Sequence, residues 1–66
     1  MQLTINGQRR QIADNASIAE LLDELKLSGK PVAVEVNLEL VPRQRHAEHR
    51  LAAGDHLEIV TLVGGG

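Results

Sequence analysis

Cysteine, phenylalanine, tyrosine and tryptophan are all missing from the 66 residues. Without cysteine there is no thiol nucleophile, no disulfide and no four-ligand Cys/His metal set, and without aromatics there is no platform on which bases could stack. Small secreted domains commonly lean on disulfides, so their absence points to a cytoplasmic protein stabilised by packing alone. No apolar run approaches the roughly 18 to 20 residues of a membrane span, and the N-terminus lacks the basic-then-apolar layout of a secretory signal. Net charge is small as well: seven Lys and Arg stand against nine Asp and Glu, for a formal −2, and the basic residues are dispersed. That balance disfavours nucleic acid as the main partner. A chain of about 60 residues buries only roughly 60% of its unfolded surface, which leaves one domain and little core to line a deep enzyme pocket. Function must come from shape, surface charge or the chain end.

The chain end is where the sequence is most unusual. Gly64-Gly65-Gly66 follows the apolar run Leu57 to Val63 directly, so a side-chain-free segment carries the α-carboxylate. Lacking Cβ atoms, such a tail can extend through a narrow channel and present its terminal carbonyl carbon unshielded. An α-carboxyl titrates near about 3.3 to 3.7, so at neutral pH it is a nucleophile toward a nucleotide α-phosphate and a poor acyl acceptor. Activation needs a second protein. An acyl-adenylate would supply the leaving group, and a sulfur nucleophile would then give a C-terminal thiocarboxylate.

Ahead of the tail, the pattern predicts a compact α+β domain over residues 1–63, with 64–66 as a flexible tail. Leu3 and Ile5 alternate with polar neighbours as in a strand with one buried face, and Asn6-Gly7 signals a hairpin returning through Gln8 to Ile12, a polar edge strand. Ser17-Ile18-Ala19-Glu20 fits a capping box, and Ile18, Leu21, Leu22 and Leu25 fall on one helical stripe. Lys26, Gly29 and Pro31 predict a helix end around Leu27 or Ser28, with Gly29 as the left-handed cap. Val32, Val34 and Val36 alternate as a strand, Leu38 to Val41 suggests a turn and a short edge strand ended by Pro42, and Leu51 to Asp55 reads as a turn. The segment Arg43 to Arg50 reads as polar and irregular with at most a helical turn. His56 to Val63 is the last strand, with Leu57 and Ile59 facing the core and Val60 and Leu62 on the other face, apolar enough to be central.

A hairpin, a crossover helix and a returning strand resemble the β-grasp, or ubiquitin-like, fold, a mixed sheet packed on one main helix, in which the final strand lies parallel beside the first. The detail resembles one family closely. The Met1-to-Gly7 opening, the Ser17-to-Leu25 helix, Val36-Asn37 followed by Val41-Pro42-Arg43, Ala53-Gly54-Asp55 and the ending Val60-Thr61-Leu62-Val63-Gly64-Gly65-Gly66 are similar to the ThiS family of sulfur carrier proteins in thiamine biosynthesis. The resemblance implies that Gly66 is adenylated by a ThiF-like, ATP-dependent adenylyltransferase. It is then converted to a thiocarboxylate with sulfur from a donor protein, and passes that sulfur to thiazole synthase. ATP would be used by the partner, with no cofactor bound to the chain, which would serve as protein co-substrate rather than enzyme. Gly65 completes the diglycine and Gly64 adds spacing.

Three other assignments use the same residues. A molybdopterin-synthase small subunit shares the fold and diglycine end but is usually longer and richer in aromatics. A protein tag would acylate a lysine through Gly66. A β-grasp interaction or RNA-binding module would use Arg43, Arg45 and Arg50, which read better as a solvated face or docking patch. His46, His49 and His56 lack a recognised metal spacing and are expected on the surface, with no metal. For partner docking, Leu62 and Val63 are the expected apolar patch, with Arg43 or Glu58 at its rim.

Overall fold

The computed structural model describes residues 1–62; the expectations placed on Val63, Gly64, Gly65 and Gly66 lie outside the described residues. Strand β1 (Gln2–Ile5) buries Leu3 and Ile5 and pairs antiparallel with β2 (Gln8–Gln11), from Ile5↔Gln8 to Gln2↔Gln11. Asn6 and Gly7 have φ of 50° and 81°, as a two-residue hairpin of the type I′ kind requires at both central positions. β2 is exposed along its whole length and forms one sheet edge, while Ile12, expected as its last residue, leaves the strand and is buried in the core.

Helix α1 (Ile18–Glu24) starts as expected: Glu20 N–H donates to Ser17 Oγ at 3.1 Å and Ser17 N–H donates to Glu20 Oε1 at 2.8 Å. These two bonds satisfy amides that a helix start otherwise leaves bare. Replacing Ser17 with Ala is expected to cost about 1 kcal/mol, read from the urea midpoint. The bond from the Ser17 amide, opposed by slight desolvation and helped by the Ser17 hydroxyl and Arg50, holds the Glu20 carboxyl below the usual glutamate range. A carboxyl depressed in the folded state stabilises above its unfolded titration range, and that contribution fades as pH falls through the lower folded value. The acid limb of the stability–pH curve should therefore flatten in Glu20→Gln.

The helix ends sooner than the sequence suggested, and not at Gly29. Lys26 takes the left-handed conformation at φ 62°, its N–H donates to Asp23 O at 3.0 Å, and Leu27 N–H donates to Leu22 O at 2.7 Å. This is a Schellman motif built on a lysine, and the apolar pair Leu22 and Leu27 explains it: stopping at Leu25 lets Leu27 fold back onto the core. Gly29, at φ 78°, serves the following turn.

β3 (Val32–Val36) and β4 (Glu39–Val41) form a second hairpin, and β5 (His56–Thr61) completes a five-stranded sheet of order β2-β1-β5-β3-β4. β5 runs parallel to β1 and antiparallel to β3, so the first and last strands lie together at the centre as in the β-grasp arrangement. It stops at Thr61, two residues short of the expected end. Leu3, Ile18, Leu21, Val34 and Leu57 are fully buried between the sheet and the helix.

The stretch from Arg43 to Arg50 is more ordered than its polarity implied. A 3₁₀ turn over Arg43–Arg45 follows Pro42, and Ile18 N–H donates to His49 O while Leu51 N–H donates to Ala16 O, which straps the segment to the start of α1. His46 is a correction: it is 6% exposed, with Nε2 2.9 Å from Val41 O, where a surface residue was expected. Its one carbonyl partner lets a polar ring sit in the core. Leu51, assigned to a turn, is also core. Arg50 donates to Glu20 Oε1 at 3.0 Å and to Asn15 O at 3.2 Å, so it is engaged within the domain. Among the described residues, no helix is long and apolar enough to cross a membrane.

Candidate functional site

The tail leaves the domain through β5, and the hydrogen bonds along that strand decide how firmly its base is held. On one side, Thr4 N–H donates to Asp55 O at 3.0 Å and Asn6 N–H to Leu57 O at 2.9 Å. β1 then turns away, and the Asn6 side chain takes over the ladder: Ile59 N–H donates to its Oδ1 at 2.8 Å and its Nδ2 donates to Ile59 O at 3.0 Å. One asparagine thus makes the turn and replaces a missing strand residue. On the other side β3 pairs from Val36↔Leu57 to Val32↔Thr61, and Leu62 N–H reaches Pro31 O at 2.8 Å. The start of β5 is tied by a second asparagine. His56 N–H donates to Asn37 Oδ1 at 3.0 Å, Asn37 Nδ2 donates to Asp55 Oδ1 at 3.1 Å, and Asp55 Oδ2 accepts from Ala52 N–H at 2.9 Å.

The final strand is therefore held on the β1 side as far as Ile59 and on the β3 side as far as Thr61, with one further bond at Leu62. The Asn6 clamp was missed from sequence, where Asn-Gly indicated only a turn; the β1–β5 pairing that uses its amide depends on the tertiary arrangement. Asn6→Ala loses two hydrogen bonds of about 1 kcal/mol each and puts a residue with a Cβ and no compensating amide at φ 50°. A loss of about 2 to 3 kcal/mol in urea unfolding is expected.

The other site residues separate onto two faces. Glu58 and Val60 lie on the outer face of the sheet, away from the helix, because Leu57 and Ile59 between them are buried. Leu62 is 51% exposed, one residue past the strand end. Arg43 lies on the other side, in a groove with Ala19, Leu22, Leu27 and His46 beside the helix, so it is not brought together with Glu58. Among the described residues no cluster of three or more His, Cys, Asp or Glu side chains could hold a metal, and no buried side-chain polar atom lacks a partner.

The profile of the ThiS family matches residues 3–66, nearly the whole chain and its glycine end included. The chain belongs to the ThiS family. It is 42% identical to the sulfur carrier protein ThiS of Bacillus subtilis, over 97% of this chain and 98% of that protein. A thiazole synthase of Paramagnetospirillum magneticum is 44% identical over 100% of this chain, which spans 20% of that protein. Among solved structures, the thiamine biosynthesis protein ThiS of Geobacter metallireducens superposes with a TM-score of 0.85 at 33% identity, covering 100% of both chains. Likeness at this level makes the mixed five-stranded sheet with one helix a ThiS-type β-grasp fold.

Proposed function

We propose that this chain is a sulfur carrier of thiamine biosynthesis, acting in the cytoplasm as a protein co-substrate with Gly66 as its site of modification. The observation that carries the proposal is a family match that runs through the glycine end to residue 66. The Gly66 carboxylate oxygen attacks the α-phosphorus of ATP in the adenylating partner, an acyl–O–P bond forms and pyrophosphate leaves. The terminal sulfur of a persulfide on a donor protein then attacks the carbonyl carbon and AMP leaves; a thiol attacks the inner sulfur of the resulting acyl disulfide, the S–S bond breaks, the donor is left in a disulfide with that thiol, and the chain ends in a thiocarboxylate. Thiazole synthase is the acceptor that takes the sulfur. A thiazole synthase containing a counterpart of the whole chain supports this choice, since joining donor and acceptor in one polypeptide raises their effective concentration.

In this scheme Gly64 and Gly65 lend reach and slimness, and the domain supplies a fixed point of departure. Catalytic groups belong to the partners. ATP–pyrophosphate exchange with the adenylating enzyme tests the first step: radiolabel should enter ATP only when the carrier with Gly66 is present. Exchange that is independent of the carrier's C-terminus would contradict it.

A further inference from the structure

Toward its C-terminal end, β5 loses its neighbours one by one. β4 stands opposite Val34 to Val36 and goes no further along β3, and β1 stands opposite His56 and Leu57 alone. Val60 and Thr61 face Ala33 and Val32 and have, among the described residues, no strand on their other side. The last stretch of β5 before Leu62 is therefore half of a two-stranded ribbon, an arrangement that twists more than a wider sheet.

Asn6 sits at the root of this ribbon. Its backbone N–H donates to Leu57 O at 2.9 Å, its Nδ2 donates to Ile59 O at 3.0 Å, and its Oδ1 accepts from Ile59 N–H at 2.8 Å. The turn alone does not require this side chain. A two-residue turn with both residues at positive φ also accepts glycine or aspartate at its first position, whereas among these only asparagine offers a donor and an acceptor side by side, as a peptide group does. Ile59 is 7% exposed, so its backbone groups need partners. A depression of about 330 Å³ lined by Asn6, Ile59, Thr61, Leu25 and Leu27 lies against the clamp. When the carboxamide is removed, water from this side takes over both groups and the end of β5 is left to follow the ribbon.

We propose that Asn6 is a positioning residue for adenylation of the tail: by standing in for a β1 residue at Ile59, it sets the direction in which β5 delivers Gly66, seven residues further on, to the adenylating enzyme. The inference rests on the adenylation reading and adds a residue of the domain that acts on its rate. The stretch from Ile59 to Leu62 spans about 10 Å, so a change of about 10° in the angle between β5 and the rest of the sheet, within the spread found among strands, moves the start of the tail by about 2 Å. Misplacing a reacting group by about 1 Å can already cost roughly 100-fold. Glycine's freedom of rotation takes up part of the shift, which leaves an expected fall of about tenfold in kcat.

Asn6→Gly isolates the clamp, since glycine keeps the turn and makes neither side-chain bond to Ile59. Adenylation by the partner enzyme, measured at low temperature and per folded carrier, should show kcat about tenfold lower with KM for the carrier changed by less than about twofold. Ser17→Ala, destabilised at the start of α1, should keep the wild-type kcat. In the free carrier, the Leu62 N–H bonded to Pro31 O should exchange with deuterium about tenfold faster in Asn6→Gly, beyond any change at the Leu21 N–H of α1, which reports global stability. Wild-type kcat in folded Asn6→Gly, an equal fall in Ser17→Ala, a loss carried by KM alone, or unchanged exchange at Leu62 overturns the positioning role. A wild-type chain that binds the enzyme and never forms an adenylate overturns the functional reading instead, and exchange at Leu62 then still decides whether Asn6 fixes the end of β5.

Discussion

Deleting Gly66 should reduce sulfur loading by about 100-fold or more while leaving the melting temperature unchanged. The shortened chain still ends in Gly64-Gly65 and still has a carboxylate, so the chemistry of the group is retained and only its position changes. Removing one residue withdraws the carboxylate by about 3.5 Å along an extended chain, and misplacing a reacting group by about 1 Å can already cost roughly 100-fold. Nothing else compensates, because β5 is bonded to β3 up to Thr61 and to β1 and the Asn6 side chain up to Ile59, and cannot slide outward to restore the reach. Among the described residues the buried core lies between Leu3 and Ile59, so no change in the melting temperature is expected from the deletion. Single-turnover loading assays beside a thermal melt would read both halves of the expectation.

Leu57→Ala should do the reverse, crippling the fold while leaving the tail chemistry untouched in whatever fraction remains folded. Leu57 is 2% exposed on the central strand, with Val36 opposite it on β3 and Ile5 on β1. Truncating a buried leucine costs about 2–5 kcal/mol, through lost transfer energy and the cavity left behind. A domain of this size has roughly 3–10 kcal/mol of stability in total, so the variant loses about a fifth of it or more. The expected fall in melting temperature is about 10 °C or more, at 4–8 °C per kcal/mol. Loading measured at low temperature and corrected for the folded fraction should match wild type; a corrected rate that stays depressed would mean that the sheet takes part in the chemistry.

The parts of this fold that were legible in sequence are those written in local chemistry. Asn6-Gly7 specifies its hairpin through backbone sterics, Ser17 to Glu20 specifies a helix start through two short-range bonds, and Val32 to Val36 declares its buried face by alternation. Misreadings arose where a tertiary contact overrode a local preference. Gly29 was the better left-handed cap by intrinsic preference, yet Leu22 and Leu27 close the helix at Lys26 because Leu27 has core to cover. His46 looked like a surface residue among arginines, and only the fold brings the Val41 carbonyl within reach of its ring. The Asn6 clamp is of the same kind, since Ile59 is far away in sequence and adjacent in the sheet.

The candidate site divides along the same line. The end proposed as reactive is visible in sequence as three glycines, because the proposed chemistry needs no side chain there. The outer face of the sheet is not visible in that way: Glu35 and Glu58 become neighbours only through the β3–β5 register, and Leu38 is conspicuous only once its φ of 71° is known. Arg43 and Glu58, grouped in sequence as one docking rim, stand on opposite sides of the sheet.

The central claim is that Gly66 carries the sulfur, and intact-protein mass spectrometry tests it most directly. After incubation with the adenylating enzyme, Mg-ATP and a sulfur donor, the chain should gain the mass of one sulfur-for-oxygen exchange, and fragmentation should confine the change to the C-terminal residue. An unmodified chain in a reaction where the enzyme adenylates another carrier, or a sulfur adduct located anywhere other than Gly66, would contradict the account.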